Sequence, residues 1–511
     1  MSYIWKWLTV ATSVAAVVAQ DCPVYTEYSQ EIHEPLSEGR LQLPYMRPDP
    51  ACRTFNSTSV EKVIEDMRAR LQDPDLARLF ENTFPNTLDT TVKYFDPEQN
   101  LAFIITGDID AQWLRDTANQ FAHYHALLSI DPELATLVKA IINVEARYVA
   151  EYPYCNAFQP PVESGLEPTY NEWALNVRVN PPVNNETVFE CKYEIDSLSG
   201  FVKLSRSYYE ETGDDSFIND NWIAAIDQVF RVINEQSQAS FDDDYNWVSY
   251  FNWTGTAGAL SPRVFNHGNG EPKGYTGMVG THHRPADDLS VFAYLVPANA
   301  MLSVELGHLH EMLNKTNKLP EIAEEARIWS ERIEQAVWNV SVIDDVFAFE
   351  SNGLGSHFFM DDANVPSLLS LPYLGFLDRN DTAYVKTRQR ILSKQNPYYA
   401  EGETWNGVGG PHVDPWHPWP MSHVSAIFGT DDDEAILNSL YLLANNTEGL
   451  GLMHESVSIY GDKEVAGVSR PYTRPWFAWA NSYFAEMLLD LAERKPHLIF
   501  NDSTPYRVGQ D

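Results

Sequence analysis

Two acidic motifs that lie far apart in the chain stand among arginine and aromatic residues. The first, RPADD, occupies residues 284–288, and the second, MHES, occupies residues 453–456. Cleavage of a glycosidic bond needs one carboxyl group that protonates the leaving oxygen and a second that acts as base or nucleophile at the anomeric carbon. The chain also has 14 Trp and 26 Tyr, and aromatic rings pack against the apolar face of a sugar. Together these residues predict an enzyme with paired carboxylates that acts on sugars.

The carboxylate candidates in these motifs are Asp287, Asp288 and Glu455. Adjacent carboxylates raise each other's pKa, which keeps an acid protonated near neutral pH. The alternative is that the two aspartates only stabilise the N-terminus of a helix predicted over 288–309. If Asp287 caps that helix, backbone N–H groups hold its carboxylate ionised. Asp288 is therefore the preferred acid of the two.

Sugar-binding residues are predicted on the loops around these carboxylates. The motif GDIDAQWLRD at residues 107–116 ends in Arg115 and Asp116 at the start of a helix, where the two side chains can fix two hydroxyl groups. The alternative there is a helix cap with a salt-bridged arginine. Residues 396–420 form a loop rich in Gly and aromatic side chains, which favours a binding role over an apolar lid. The predicted binding residues are Trp113, Arg115, Asp116, Arg284, Glu403, His412, Trp419, His454 and Arg474. For His454 the alternative is that it orients Glu455.

Neither a metal nor a cofactor is predicted. A zincin motif needs a second histidine four residues after His454, and position 458 is Ser458. The motif KYEIDS at residues 192–197 opens another predicted helix, in which Asp196 either caps the helix or belongs to the sugar site or its support. The predicted site therefore consists of carboxylates, arginines, histidines and aromatic rings.

Apolar residues recur at helical spacing through most of the chain, whereas the alternation typical of strands is scarce. Loops rich in Gly, Pro, Trp and His separate the helical stretches. This pattern predicts an all-α fold, a toroid of paired helices with minor β pieces and with the site at its loop end. The predicted helices cover 59–71, 116–128, 132–152, 196–212, 221–238, 288–309, 321–339, 364–371, 431–444 and 475–494, and the predicted strands cover 102–106 and 346–350.

The composition restricts the class of partner. With 72 acidic and 35 basic residues the net charge is −37, which argues against binding of nucleic acid or anionic lipid. No linker or low-complexity run divides the chain. We expect a signal peptide over 1–19, an N-terminal extension over 20–58 and one catalytic domain over 59–511, in a protein that acts as a monomer.

Several features predict export. Lys6 precedes an apolar run from Trp7 to Val18, which is typical of a signal peptide, although an uncleaved anchor is the alternative. No later apolar segment is long enough to span a membrane, so the mature chain is expected to be secreted or to lie in the lumen of the secretory pathway. Eight N-x-Ser/Thr sequons begin at Asn56, Asn185, Asn252, Asn314, Asn339, Asn380, Asn445 and Asn501.

Four cysteines remain in the mature chain. Their spacing fits no zinc pattern, and disulfides are favoured in an oxidising compartment. Three pairings are possible. The nearest-neighbour choice joins Cys22 to Cys52 and Cys155 to Cys191.

Six motifs in this order resemble glycoside hydrolase family 125. They are GDIxAxWLRD, YEIDSL, RPxDD, MDDANVPSLL, GGPH, and MHES followed by TRPWFAWAN, and the resemblance runs from about residue 60 to 495. It implies an (α/α)6 barrel and an exo-acting, inverting α-1,6-mannosidase that cleaves mannosides or mannan-type glycans without a metal. It also implies that the acid lies in the Asp287-Asp288 pair and that Glu455 is the base. Arg115, Asp116, His454 and Arg474 would then hold the terminal mannose.

The chain departs from the family pattern mildly, with Ala286 in place of a small polar residue and Thr117 in place of the more usual Ser. Exo action is expected if the Trp405–Trp419 loop closes one end of the site. Three alternatives stay open: a calcium-dependent α-1,2-mannosidase, a glucoamylase-like α-glucosidase, and a glycan-binding protein without catalysis.

Overall fold

The computed structural model describes residues 22–170, 175, 177–255, 265–461 and 471–509. The signal peptide predicted over 1–19 lies outside the described residues. In the described ranges, no helix combines the length and apolar character that a membrane crossing would need.

Helices make up most of the regular structure. Side chains at the N-caps of several helices accept backbone N–H groups, and proline stands in the first turn of others, as helix starts favour. The capping side chains belong to Ser57, Asp73, Asp131, Asn219, Asp381 and Asp432. The main helices are α1 Tyr25–Tyr28, α2 Thr58–Arg70, α3 Pro74–Thr83, α4 Asn86–Thr90, α5 Leu114–Gln120, α6 Pro132–Glu151, α7 Ile195–Thr212, α8 Asp220–Gln236, α9 Val296–Thr316, α10 Pro320–Ser341, α11 Thr382–Ile391, α12 Pro420–Phe428, α13 Asp433–Asn445, α14 Ala478–Arg494 and α15 Pro496–Ile499.

An inner ring of helices closes on itself. Helix α5 contacts α7, α7 contacts α9, α12 contacts α14, and α14 returns to α5. Residues 365–377 fill the interval between α9 and α12, because Tyr373 packs on Phe428 and Tyr483 and Gly375 lies against Val304 of α9. Helices α2, α6, α8, α10, α11 and α13 form the outer ring. The predicted (α/α)6 barrel is confirmed.

The inner helices are largely buried, and every residue of α5 and of α12 is buried. A Cβ atom on Gly200 of α7 would lie 3.1 Å from the carbonyl oxygen of Leu114 and 3.2 Å from the Cα atom of Arg115. Glycine at this position therefore lets α7 pack directly on the start of α5. Arg115 is thereby enclosed by the inner ring.

Short strands occupy the loops and pair in small antiparallel sheets. In the sheet β3–β4–β6, Trp113 pairs with Ala157 and Ala157 pairs with Glu190. In β15–β16, Ser456 pairs with Thr473. The strands are β1 Val92–Asp96, β2 Leu101–Ile104, β3 Gln112–Trp113, β4 Ala157–Phe158, β5 Val177–Asn180, β6 Val188–Glu190, β7 Asn252–Gly255, β8 Tyr294–Leu295, β9 Val342–Ile343, β10 Val346–Phe347, β11 Glu350–Ser351, β12 His357–Phe358, β13 Tyr399–Glu401, β14 Asn406–Val408, β15 Ser456–Val457 and β16 Tyr472–Thr473.

Two predicted helix starts and one predicted helix are wrong. Helix α9 begins at Val296 rather than at 288, because residues 284–287 form a turn in which Asp287 has φ 64°. Helix α5 begins at Leu114, so Asp116 lies inside its first turn and is not its cap. The helix predicted over 364–371 does not form, because the N–H groups of Leu368 and Leu369 bind the carboxylate of Asp361 instead of helical carbonyls.

The predicted disulfide pairing is confirmed, with bonds between Cys22 and Cys52 and between Cys155 and Cys191. The N-terminal segment before α2 packs on the barrel. The ring of Tyr25 lies 5.0 Å from that of Trp476 in an edge-on contact. The segment thus adds apolar contacts to the loop that precedes α14.

Candidate active site

A cavity of about 280 Å³ opens at the end of the barrel where the inner helices begin. Arg115 and Asp116 lie in the first turn of α5, Trp479 lies in the first turn of α14, and Trp419 precedes α12. The lining residues are Thr106, Ile109, Trp113, Arg115, Asp116, Pro285, Ala286, Asp287, Asn364, His412, Trp419, Glu455, Arg474, Phe477 and Trp479.

Arg115 is the centre of a buried charge cluster behind this cavity. Its guanidinium lies 2.6 Å from Glu194 Oε2, 3.4 Å from Asp196 Oδ2 and 3.1 Å from Asp116 Oδ2. Burial lowers the pKa of Arg115, but the surrounding carboxylates outweigh burial and raise it well above the usual value. Burial raises the pKa of Asp116 to about 6 and that of Asp196 to about 6.

Asp287 reaches the cavity from the turn that follows Arg284. The amide nitrogen of Asn156 donates to Asp287 Oδ1 at 3.3 Å, and Lys192 Nζ lies 3.9 Å from Oδ2. Burial raises the pKa of Asp287, but the positive charges of Lys192 and Arg115 outweigh it and hold the pKa below the usual range. Asp287 caps no helix, and Lys192 and Arg115 take the place of backbone N–H groups in holding its carboxylate ionised. Asp287 is the better candidate for the acid because it lines the cavity.

Asp288 does not line the cavity, and it contacts a residue that does. Its Oδ1 lies 3.8 Å from Nδ1 of His412. Burial lowers the pKa of His412, but hydrogen bonding and the negative charge of Asp288 outweigh burial and raise it to about 9. His412 therefore brings a positive charge to the mouth of the cavity below that pH.

Glu455 is held by the β15–β16 pair. Thr473 donates its hydroxyl to Glu455 Oε2 at 2.8 Å, and the next residue, Arg474, binds Asp108 Oδ1 at 2.7 Å. Gly107 is required beside them, because its φ is 132° and a Cβ atom would lie 2.1 Å from the carbonyl oxygen of Trp476. Asp287 and Glu455 thus reach one cavity from separate loops.

Several buried polar atoms around the cavity have no hydrogen-bond partner among the described residues. A buried donor or acceptor without a partner is costly, and ligand hydroxyls can satisfy it. Asn364 shows the arrangement: its amide nitrogen donates to the carbonyl of Pro285 at 2.8 Å, while its Oδ1 stays unpaired. The unpaired atoms at the cavity are the indole nitrogens of Trp113, Trp419 and Trp479, the Nε of Arg115 and the Oδ1 of Asn364.

Three predicted binding residues lie elsewhere. Arg284 is buried, binds Glu350 Oε1 at 2.6 Å and holds the loop that carries Asp287. His454 is buried, and burial lowers its pKa to about 4. Its ring nitrogens lie 3.2 Å and 3.4 Å from backbone carbonyl oxygens, so it supports the backbone next to Glu455. Glu403 is exposed at the surface.

The remaining predicted residues meet at the cavity: Asp287, Glu455, Trp113, Arg115, Asp116, His412, Trp419 and Arg474. Sequence reasoning missed Asn364, Trp479, Asn156, Lys192 and Glu194. Asn364, Trp479, Lys192 and Glu194 lie inside motifs that were recognised, so the signal was present, but their types gave no reason to choose them over neighbouring residues.

The chain was compared with known proteins. The family model described as Metal-independent alpha-mannosidase (GH125) matches residues 73–489. The Meiotically up-regulated gene 157 protein of Schizosaccharomyces pombe is 45% identical over 489 residues, which is 94% of each chain. A solved metal-independent α-mannosidase from Streptococcus pneumoniae, in a non-productive substrate complex with α-1,6-mannobiose, is 29% identical with a TM-score of 0.76, and the alignment covers 86% of this chain and 99% of that one.

Proposed function

Because the chain belongs to the metal-independent α-mannosidases of glycoside hydrolase family 125 and is a glycoside hydrolase, we propose that it is an exo-acting, inverting α-1,6-mannosidase. Its substrates would be α-mannosides or mannan-type glycans, from which it releases mannose at the non-reducing end. The observation that carries this proposal is the meeting of Asp287 and Glu455 in one cavity beside Arg115 and Asp116. The α-1,6-mannobiose bound to the Streptococcus pneumoniae relative supports the linkage.

In this mechanism Asp287 protonates the glycosidic oxygen, and Glu455 takes a proton from the water that attacks the anomeric carbon from the opposite face. Inversion requires space for that water, which corresponds to carboxyl groups ~6.5–9.5 Å apart. Thr473 holds Glu455 through one carboxylate oxygen, which leaves the other oxygen for the water. The charge that develops on the sugar would be stabilised by the carboxylates that surround it.

The terminal mannose would be held by a mixture of polar and aromatic contacts. The unpaired indole nitrogens of Trp113 and Trp479 and the Oδ1 of Asn364 offer donors and an acceptor to its hydroxyls. The rings of Trp419 and Phe477, which also line the cavity, suit the apolar face of the sugar. A volume of about 280 Å³ is at the lower limit of ligand pockets, ~300–1,000 Å³, which supports exo action on one sugar unit.

The test is hydrolysis of α-1,6-mannobiose, with α-1,2- and α-1,3-mannobiose and an α-glucoside run in parallel, and with NMR following the anomer released. The expected result is cleavage of the 1,6 linkage with β-mannose formed first. Formation of α-mannose first would overturn inversion. Preferred cleavage of the 1,2 linkage that a chelator abolishes would indicate the calcium-dependent alternative, and preference for the glucoside would indicate a glucosidase. Binding of mannobiose without turnover would indicate a glycan-binding protein.

We also propose that the protein is exported, N-glycosylated and monomeric. Seven of the eight sequon asparagines have exposed side chains and Asn252 is half-buried, which supports their modification in the secretory pathway. Expression of the full chain in a eukaryotic host should give a secreted product whose mass falls on deglycosylation and whose N-terminus lies near residue 20. Retention in the membrane fraction would indicate an uncleaved anchor, and light scattering would test the monomer.

A further inference from the structure

The charges around Arg115 do not balance. Five carboxyl groups face one another there. Two basic side chains, Arg115 and Lys192, form ion pairs with them, and His412 and Arg474 add positive charge near Asp287 and Asp116. The carboxyl groups belong to Asp116, Glu190, Glu194, Asp196 and Asp287. Their side chains are between 0% and 19% exposed, and a buried excess of negative charge costs several kcal/mol per ion. This cluster must therefore hold protons near neutral pH.

Two of these carboxyl groups are placed to share a proton. The amide nitrogen of Asn156 lies 3.4 Å from Glu194 Oε1 and 3.3 Å from Asp287 Oδ1. The carboxyl groups of Glu194 and Asp287 are also within hydrogen-bonding reach of each other. Two adjacent carboxylates do not both stay ionised at low cost, so one proton between them is the favoured state.

The surroundings decide which of the two carries that proton at rest. Glu194 is wholly buried, and burial raises its pKa well above the usual value despite Arg115. At Asp287, Lys192, Arg115 and His412 outweigh burial and hold the pKa below its usual range. The resting proton therefore sits on Glu194, although Asp287 is the group that reaches the cavity.

We propose that Glu194 supplies the proton that Asp287 delivers to the leaving glycosidic oxygen. This inference rests on the proposed function, in which Asp287 is the acid. The proton that rests on Glu194 moves to Asp287, and Asp287 passes it to the glycosidic oxygen as the bond from that oxygen to the anomeric carbon breaks. Both carboxyl groups of the pair are then ionised. Glu455 takes one proton from the attacking water. Solvent then removes that proton and returns one to the Glu194–Asp287 pair, so the net reaction is hydrolysis.

Other charged groups face the Glu194–Asp287 pair and influence the pKa values of both carboxyl groups. Asp196 and Asp116 share Arg115 with Glu194, and Glu190 binds Lys192 at 3.1 Å. His283 also faces Asp287, and burial lowers its pKa well below the usual value, so it is neutral. Glu190 lies 3.3 Å from the same Asn156 nitrogen. It acts on Asp287 through its charge, whereas Glu194 is within hydrogen-bonding reach of Asp287. Glu194 is therefore the proton source that the geometry selects.

The test compares wild type with Glu194→Gln on two substrates, α-1,6-mannobiose, whose leaving group needs a proton, and α-mannosyl fluoride, whose leaving group does not. We expect kcat/KM on mannobiose to fall about 100-fold or more and that on the fluoride to fall by less than about fivefold. The alkaline limb of the mannobiose pH profile should move to lower pH, because Asp287 alone keeps a low pKa.

Lys192→Met is a second variant, for which the expected shift of the pH profile has the opposite direction. It removes a cation that holds Asp287 ionised, so the alkaline limb should move to higher pH. The matched control is Asp196→Asn, which removes another carboxylate from the same guanidinium and should leave the ratio of the two substrates unchanged. Thermal unfolding of each variant reports whether it is folded.

Equal losses on both substrates in Glu194→Gln, with the alkaline limb in place, would show a structural role only and overturn the inference. An alkaline limb of the pH profile that does not move in Lys192→Met would also overturn the inference. This second variant decides the question if Glu194→Gln fails to fold. Wild type that cleaves neither substrate would instead overturn the proposed function. The two failures are thus distinguishable.

Discussion

The two ends of the barrel each hold a cavity, and the larger one is not the candidate active site. The active-site cavity of about 280 Å³ lies where the inner helices begin, and a cavity of about 860 Å³ lies where they end. Both contain carboxylates, aromatic rings and arginines. At the far end the carboxylates belong to Glu211, Glu486, Asp490 and Glu493.

The difference lies in how the polar groups are partnered. At the far end Arg494 binds Asp490 at 2.6 Å and Arg507 binds Glu493 at 2.8 Å, while Tyr373 donates to Glu486 at 3.0 Å. His123 is an exception there, with one ring nitrogen unpaired within the described part of the chain. At the active-site end, buried indole nitrogens and an amide oxygen of residues that line the cavity are unpaired within the described part of the chain. Unsatisfied polar atoms, rather than volume, mark the functional end.

Helix direction reinforces this contrast. Asp116 and Asp196 lie in the first turns of α5 and α7, where the partial positive charge of the helix N-terminus favours a carboxylate. Glu211 and Glu493 lie in the last turns of α7 and α14, where the helix offers no such stabilisation. The parallel inner helices thus concentrate favourable positions for carboxylates at one mouth.

The sharpest test of the difference between the two cavities replaces one carboxylate with an amide at each end of the barrel. Glu455→Gln removes the base and should lower kcat/KM on α-1,6-mannobiose by about 10²–10⁴-fold. Glu486→Gln keeps an acceptor for Tyr373 and should change kcat/KM by less than about threefold. Initial-rate measurements on the two purified variants and the wild type give the two changes in kcat/KM. Comparable losses in both would mean that the far end takes part in the reaction.

Removing each of the two disulfides tests how far the position of the active-site residues depends on the nearby covalent bond. They close loops of similar length, with sequence separations of 36 and 30, so each should contribute about 3–4 kcal/mol by the chain-entropy account. Cys155 and Cys191, however, directly precede Asn156 and Lys192, which contact Asp287. We expect the Cys155→Ser/Cys191→Ser variant to lose about tenfold or more in kcat/KM through misplacement.

The matched control for that prediction is Cys22→Ser/Cys52→Ser, which should lose stability without a comparable loss of activity. Activities are measured well below both melting temperatures, so that unfolding does not contribute. An equal fall in kcat/KM for the two double variants would show that the bond near Asp287 has no special positioning role.

The sequence was sufficient for the barrel and for most residues of the cavity. Helical periodicity located α6, α7, α8 and α10 closely, because their apolar faces are long. It failed for residues 364–371, where the buried carboxylate of Asp361 captures the backbone N–H groups, a tertiary contact that periodicity does not reveal. It also missed α1, α3, α4, α11, α12 and α15. Of these, α1, α4 and α15 are only 4, 5 and 4 residues long, and α12 is buried at every residue and has no polar face.

At the site, types and motifs identified the carboxylates but not their orientation. Asp287 reaches the cavity because its φ of 64° turns the chain before α9, whereas the sequence placed a helix start there. Arg284 was expected to touch sugar, and His454 either to touch sugar or to orient Glu455. Arg284 instead binds Glu350, and His454 binds backbone carbonyls. A motif residue that supports the site from behind has the same sequence signature as one that binds the substrate.

The smallest expected effect concerns stability. Glu145 of α6 is buried behind the active-site end, where Gln112 donates to it at 3.1 Å, and burial raises its pKa to about 8. The stability that protonated Glu145 contributes is fully present below the pKa that this carboxyl group has in the unfolded chain. It is lost as the pH rises through the folded-state pKa of about 8. Glu145→Gln should therefore melt about a few degrees above wild type at pH ~8.5 and show little gain at pH ~5.

Glu486 provides the comparison from the far end. Burial raises its pKa to about 7, and the positive charge of Lys203 opposes that rise, so Glu486→Gln should gain less at alkaline pH than Glu145→Gln. The melting temperatures are best compared above pH ~6.5. Burial lowers the pKa of His123 to about 3 and that of His454 to about 4, so above pH ~6.5 these histidines are neutral in the folded and in the unfolded chain. Parallel melting curves of wild type and Glu145→Gln across that window would mean that Glu145 is ionised in the folded protein, and the raised pKa would then be wrong.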